Sequence, residues 1–195
     1  IPSGEKDLKL PVGENVKVSN DGLTLFATKS GFVDFNDGKI DISNRLQIKG
    51  DVNFNTGNVK YDGEVLIKGD VRSGFRVEAT DSVIIEGDVE AADIRSKKGD
   101  VTIKMGVLGK GRAKIVAGQN VYCGFIQDAE VKANHDVSVN RYIINGDVYA
   151  GGYIKVNQHE GLIRGGKVFG EKGIEVKEAG SVKNISTNLG IGLNR

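Results

Sequence analysis

The chain has one cysteine, two prolines and no tryptophan in 195 residues. The lone Cys123 excludes an internal disulfide and fits a reducing compartment. Proline occurs only at Pro2 and Pro11, so every later residue keeps its backbone N–H for a ladder. Collagen would need abundant proline and glycine at every third position, and neither is present. Charge of one sign is also missing: Lys plus Arg number 27, Asp plus Glu 26, and the net charge is +1. Without a basic excess, no nucleic-acid partner is expected. No apolar run approaches the length of a membrane span, so no membrane insertion is expected either. The opening Ile1-Pro2-Ser3-Gly4-Glu5-Lys6-Asp7 lacks the apolar segment of a signal peptide and begins on Ile rather than Met. It reads as a piece of something longer.

What is present is a period. Valine recurs every six residues at Val59, Val65, Val71, Val77, Val83 and Val89. Six fits neither the 3.6 period of a helix nor the alternation of a lone strand. It fits a short strand plus a turn, repeated. The first and third residues of each unit lie on one face of an extended strand, so both point inward. The same frame runs backwards through Leu46 and Ile40, with one extra residue after Val52. It runs forwards through Val101, Val107, Val131, Val137 and Ile143.

Each unit is too short to bury its own apolar face, so turns must stack. The expected fold is all-β: a parallel β-helix with rungs of about 18 residues, each made of three short strands. Gly-Asp-Val triplets start at Gly50, Gly69 and Gly87, one rung apart by this count. Gly99-Asp100-Val101 follows after only two of the three sides, so it belongs at a different corner. Gly146-Asp147-Val148 repeats the motif late. Glycine totals 28, and Gly50, Gly69, Gly87, Gly99 and Gly146 are expected at corners, where positive φ is needed. The step slips to seven after Val52 and to five between Val89 and Ile94, which favours a right-handed coil over the left-handed alternative. Residues 1–22 are less regular and read as a leader or N-terminal cap, with the coil over 23–195. A cap protects the open edge of a solenoid. The stacked Asp51, Asp70 and Asp88 should repel mildly, with Lys49 and Lys68 beside two of them.

Motifs with chemistry are few. Gly161-Leu162-Ile163-Arg164-Gly165-Gly166-Lys167-Val168 matches GxxxxGK but puts Val where Ser or Thr would bind magnesium, and no helix follows. Gly109-Lys110-Gly111-Arg112-Ala113 is a partial GxGxxG outside any βαβ unit. His135 and His159 lack metal-ligand spacing. His135 beside Asp136 raises the alternative of a general base in a coiled acyltransferase or glycan-active enzyme, against a polar corner residue. Cys123 reads as a small buried side chain. Connections are short throughout, which leaves little material for a catalytic groove on loops. The stretch from Lys104 to Lys114 breaks the repeat. It gathers Lys104, Lys110, Arg112 and Lys114 near a glycine-rich bend, a candidate protein-docking patch. Aromatics are not interleaved with it, unlike a single-strand nucleic-acid platform.

Several segments resemble the bacterial flagellar assembly protein A family. They are Thr56-Gly57-Asn58-Val59, Gly69-Asp70-Val71 through Val77-Glu78-Ala79, Gly87-Asp88-Val89-Glu90-Ala91, Phe125-Ile126-Gln127-Asp128-Ala129-Glu130-Val131-Lys132-Ala133 and Gly161-Leu162-Ile163-Arg164-Gly165-Gly166. The similarity runs over roughly residues 20–192. Bactofilins and the C-terminal domain of the septum inhibitor MinC share the style of coil. The resemblance implies a cytoplasmic bacterial protein, not an enzyme, tied to flagellum assembly or placement and recruited to the cell pole. It also implies flanking domains that this chain does not show, in keeping with a piece of something longer. The reading is therefore a non-enzymatic scaffold without catalytic residue, metal or cofactor. Its expected partner is a flagellar or cytoplasmic signalling protein. A self-assembling, bactofilin-like filament, hence a homo-oligomer, is the alternative.

Overall fold

The structure, a computed structural model, describes residues 10–181 and 185–192. All regular structure in it is strand, and no helix of the described residues is long and apolar enough to cross a membrane. The chain divides into two units after Arg45.

The first unit is built from antiparallel pairs. β1 (Val16–Val18) pairs with β2 (Leu25–Ala27), and β3 (Phe32–Asn36) pairs with β4 (Lys39–Ser43). The second hairpin is local in origin. Asp37 and Gly38 fill a two-residue loop with φ of 50° and 74°, the geometry of a type I′ turn. This corrects the expected boundary. Residues 23–43 belong to hairpins rather than to the coil, and Ile40 lies in β4. Of the leader or cap expected over 1–22, residues 1–9 lie outside the described residues, and Val16–Val18 are strand.

The second unit is a parallel β-solenoid. Its early turns carry short strands: β5 (Arg45–Ile48), β6 (Val59–Tyr61), β7 (Glu64–Ile67), β8 (Arg76–Ala79), β9 (Val83–Ile85), β10 (Val89–Glu90), β11 (Asp93–Ser96) and β12 (Val101–Ile103). Later turns alternate long and short: β13 (Val107–Ala117), β14 (Val121–Cys123), β15 (Ile126–Ala133), β16 (Val137–Val139), β17 (Tyr142–Ala150), β18 (Tyr153–Val156), β19 (Leu162–Gly170) and β20 (Gly173–Val176). β21 (Glu178–Ala179) and β22 (Thr187–Ile191) close the described part. Pairing makes one eight-stranded sheet, β5 to β20, and one ten-stranded sheet, β6 to β22. One strand of the smaller sheet comes from each turn, so there are about eight turns. The sequence predicts three short strands per rung. The long strands instead carry the chain through a bend without a break, so pairing merges what would be two sides.

Register explains the valine period. One inner column runs Val59, Val77, Ile94, Ile115, Val131, Val148 and Val168. Another runs Val65, Val83, Val101, Val121, Val137 and Ile154, with a step that lengthens between Val101 and Val121 and shortens after it. All of these side chains are buried. Each fully buried Val or Ile contributes about 1.5–3 kcal/mol, more than any exposed pair. Val101 sits in the smaller sheet while Val89 pairs with Val107, so the triplet at Gly99 does occupy a different side.

Positive φ is not what places glycine at the expected corners, and at Gly69 and Gly87 the reason is close approach to a carboxylate. None of Gly50, Gly69, Gly87, Gly99 and Gly146 has positive φ. A Cβ at Gly87 would collide with Asp70 Oδ1 and come within 2.7 Å of the Gly69 carbonyl oxygen. The glycine makes room for a ladder of carboxylates. Asp51 Oδ1 accepts the Asp70 N–H at 2.9 Å, and Asp70 Oδ1 accepts the Asp88 N–H at 2.8 Å. A second such ladder runs through Asp100, Asn120 and Asp136 to the Tyr153 N–H. Gly146 is no corner break but lies inside β17. The left-handed residue there is Asn145, φ 48°, level with Asp128, φ 49°.

Candidate docking face

Outward residues of the ten-stranded sheet also stack in rows. Lys132, Tyr149, Phe169 and Gly190 are register partners on β15, β17, β19 and β22. Two positions back along each strand, Glu130, Asp147, Lys167 and Asn188 form a parallel row. Between the rows lies an open groove of about 510 Å³, floored by the backbone of Val131, Val148, Val168 and Leu189.

The aromatic row is tightly organised. The Tyr149 and Phe169 rings are parallel to within 1°, with centroids 5.9 Å apart. Lys132 Nζ sits 5.3 Å above the Tyr149 ring, within cation–π range. At the other end Phe169 lies across Gly190, where a Cβ would come within 2.5 Å of the ring. The Tyr149 hydroxyl donates to Glu171, which holds the phenol above its ordinary pKa, and burial adds to this. The ring faces are thereby covered.

A second groove adjoins the first across Glu130 and Asp147. It forms where β13 bulges. Leu108 pairs with Gln127 but Ala113 pairs with Ala129, so the residues around Lys110 and Gly111 loop out with positive φ. This is the stretch whose sequence breaks the repeat. It brings Lys110, Arg112 and Lys114 to one groove but not Lys104, which pairs with Glu86 at 2.8 Å near Lys68. The groove is mixed in charge. Lys114 pairs with Glu130 at 3.0 Å and Lys110 approaches Glu90 at 3.9 Å.

Cys123 is buried, and burial pushes its thiol up to about 12, so it is no nucleophile at neutral pH. His135 is exposed on a turn, its N–H bonded to the Gln119 carbonyl. The GxxxxGK stretch lies on β19, a strand followed by another strand. The aromatic row is missed by sequence reasoning because Tyr149 and Phe169 lie a full turn apart along the chain. A signal for it exists: each follows a buried valine, Val148 or Val168, and so takes the outward position beside it.

The two parallel sheets and about eight stacked turns define a class, the parallel β-solenoid. The family model "Flagellar Assembly Protein A beta solenoid domain" matches residues 44–195, and the chain belongs to that family. The match begins where the coil begins, at β5. The family is one of assembly proteins rather than enzymes. No curated protein and no solved structure matches the chain.

Proposed function

We propose that this domain is a cytoplasmic scaffold for flagellum assembly or placement, and that it works by docking another protein on the outer face of the ten-stranded sheet. The carrying observation is the Lys132–Tyr149–Phe169 row beside an open groove. Large side chains there are held rigid by stacking, so a partner meets an ordered surface at little entropic cost. The basic patch expected from the sequence enters as its flank through Lys110, Arg112 and Lys114. Right-handed winding of a three-sided turn stays our reading of the coil. Turns of unequal length support it, since the step from Val101 to Val121 is longer than that from Val121 to Val137.

The test is Tyr149→Arg, which breaks the row on the surface and leaves the core untouched. Bacteria carrying it should lose motility, and the purified variant should retain its melting temperature within a few degrees while failing to hold the partner that the parent chain holds. Normal motility together with unchanged partner retention would remove this face from consideration.

End-to-end self-association is the second reading, favoured by β22. Its Leu189 and Ile191 are 44% and 70% exposed on a strand paired through β19. Light scattering over a concentration series separates the two, since a mass that stays monomeric excludes it.

A further inference from the structure

We infer that two copies of this chain pair side by side through the outer face of the ten-stranded sheet, related by a two-fold axis that runs along the coil. The pairing rests on the charge pattern of the sheet and not on the docking reading above. Where both hold, a second copy and an unlike partner compete for one face.

The carrying observation is two rows of charge that complement each other. Successive outward residues on a strand lie two positions apart, and register aligns them from turn to turn. The first row runs Arg76, Asp93, Lys114, Glu130, Asp147 and Lys167. The second runs Glu78, Arg95, Val116, Lys132, Tyr149 and Phe169. On none of these strands do the two rows carry charges of the same sign. β8 sets Arg76 beside Glu78, β11 sets Asp93 beside Arg95, and β15 sets Glu130 beside Lys132.

A two-fold axis laid over the inner column from Val77 to Val168 exchanges the rows. Arg76 then faces Glu78 of the other copy, Asp93 faces its Arg95, and Glu130 faces its Lys132. Symmetry makes each pair twice. The remaining strands set a charge against an uncharged side chain, and Lys167 meets the Phe169 ring, a cation–π pairing. Turn matches turn along the whole face, because both copies stack at the same spacing of about 4.8 Å. An unlike protein would have to reproduce that spacing, whereas a second copy has it already.

Ion pairing inside one copy leaves the second row without partners. In the first row Arg76 reaches Asp93 at 3.2 Å and Lys114 reaches Glu130 at 3.0 Å. Among the described residues, Glu78, Arg95 and Lys132 form no ion pair. The second copy supplies their opposite charges and joins the short pairs into strings of alternating sign, Glu78–Arg76–Asp93–Arg95 and Lys114–Glu130–Lys132. Networks of this kind contribute where isolated surface pairs do not. From β8 to β19 the patch is roughly 24 Å long, and five residues of strand make it roughly 16 Å wide. That is small for a specific interface, so the dimer is weak, forms in the micromolar range and dissociates on dilution and in high salt.

The experiment is sedimentation equilibrium of the full chain over a concentration series, at low and high salt. The parent should pass from monomer to dimer and stop there, with the dimer weakened by salt. Glu130→Lys opposes two lysines across the axis and Lys132→Glu opposes two glutamates, so each variant alone should weaken the dimer by about tenfold or more. Mixed in equal amounts, the two variants should pair again, since each now meets opposite charge on the other. Melting curves check that both are folded. Tyr149→Arg sets a cation opposite Asp147 and should keep the dimer. The inference is overturned by a parent that stays monomeric, by single variants that pair as well as the parent, by a mixture that stays monomeric, or by a mass that grows beyond the dimer. A monomeric parent whose Tyr149→Arg variant abolishes motility removes the pairing and leaves docking standing. A dimeric parent whose Tyr149→Arg variant keeps motility and partner retention does the reverse.

Discussion

One row of outward residues changes character along the coil, and the two halves hold their turns together differently. The residue before each buried member of the column Val52, Val71, Val89, Val107, Ile126, Ile143 is Asp51, Asp70, Asp88, Gly106, Phe125, Tyr142. In the early turns this row is acidic and held by charge. Arg72 reaches Asp51 at 2.8 Å, Asp70 at 3.0 Å and Glu90 at 2.7 Å, so one guanidinium spans three turns. It takes the role that the sequence suggests for Lys49 and Lys68. In the later turns the row is aromatic. Phe125 stacks on Tyr142 with centroids 5.2 Å apart and lies across Gly106, where a Cβ would collide with the ring. Phe169 across Gly190 repeats the device. A ring over a glycine on the next turn costs no desolvated charge, whereas stacked carboxylates require both a cation and a glycine gap. Within this row, the early turns are therefore the part sensitive to pH and salt.

The largest expected effect tests the glycine gap. Gly87→Ala forces a methyl against backbone and carboxylate and should cost about 1–3 kcal/mol in a denaturant melt. Gly50→Ala meets nothing within 4 Å and should change stability by less than about 0.5 kcal/mol. Equal losses at both positions would mean that the gap is not what selects glycine.

Next comes the contrast between the halves. Phe125→Leu should lower stability by about 1 kcal/mol, and equally at low and high salt. Arg72→Met should lower the melting temperature at low salt and progressively less as salt is raised, because its pairs are exposed and screened. A salt-independent loss for Arg72→Met would assign its role to packing of the side-chain stem.

The smallest effect concerns Asp88, at the end of the acidic row. Its Oδ1 is buried without a hydrogen-bond partner, and burial, then the Asp70 charge, raise its pKa above 3.8. A raised carboxylate is a cost at neutral pH that is recovered as pH falls through the folded value. Asp51 behaves oppositely. The Asp70 N–H and Arg72 lower its pKa, so its contribution holds above 3.8 and is lost as pH falls further. Asp88→Asn should raise the melting temperature by about 1–2 °C at neutral pH and give no gain below about pH 4. A gain that persists in acid would place its origin outside titration.

The coil is legible because its signal is local. A valine every six residues reports which residues point inward whatever turn they belong to, and the pairing of Val83 with Val65 on one side and Val101 on the other follows. The hairpin of Phe32–Ser43 is equally local, yet extending the six-residue frame back to Ile40 hides its Asp37-Gly38 signal. The docking face is hidden for a different reason. Lys132, Tyr149 and Phe169 meet because turns of unequal length return the chain to the same register, and the only local mark of it is the buried valine before Tyr149 and Phe169. Nearness along the chain groups Lys104 with Lys110, but a bend separates them.

By itself the sequence determined the inward face, the parallel stacking it demands and the place where the repeat breaks, since each depends on periodicity over a short stretch. Tertiary structure alone decided which outward side chains become neighbours. Turn length sets the register between strands, and a slip by a single position would face Tyr149 inward and dissolve the row.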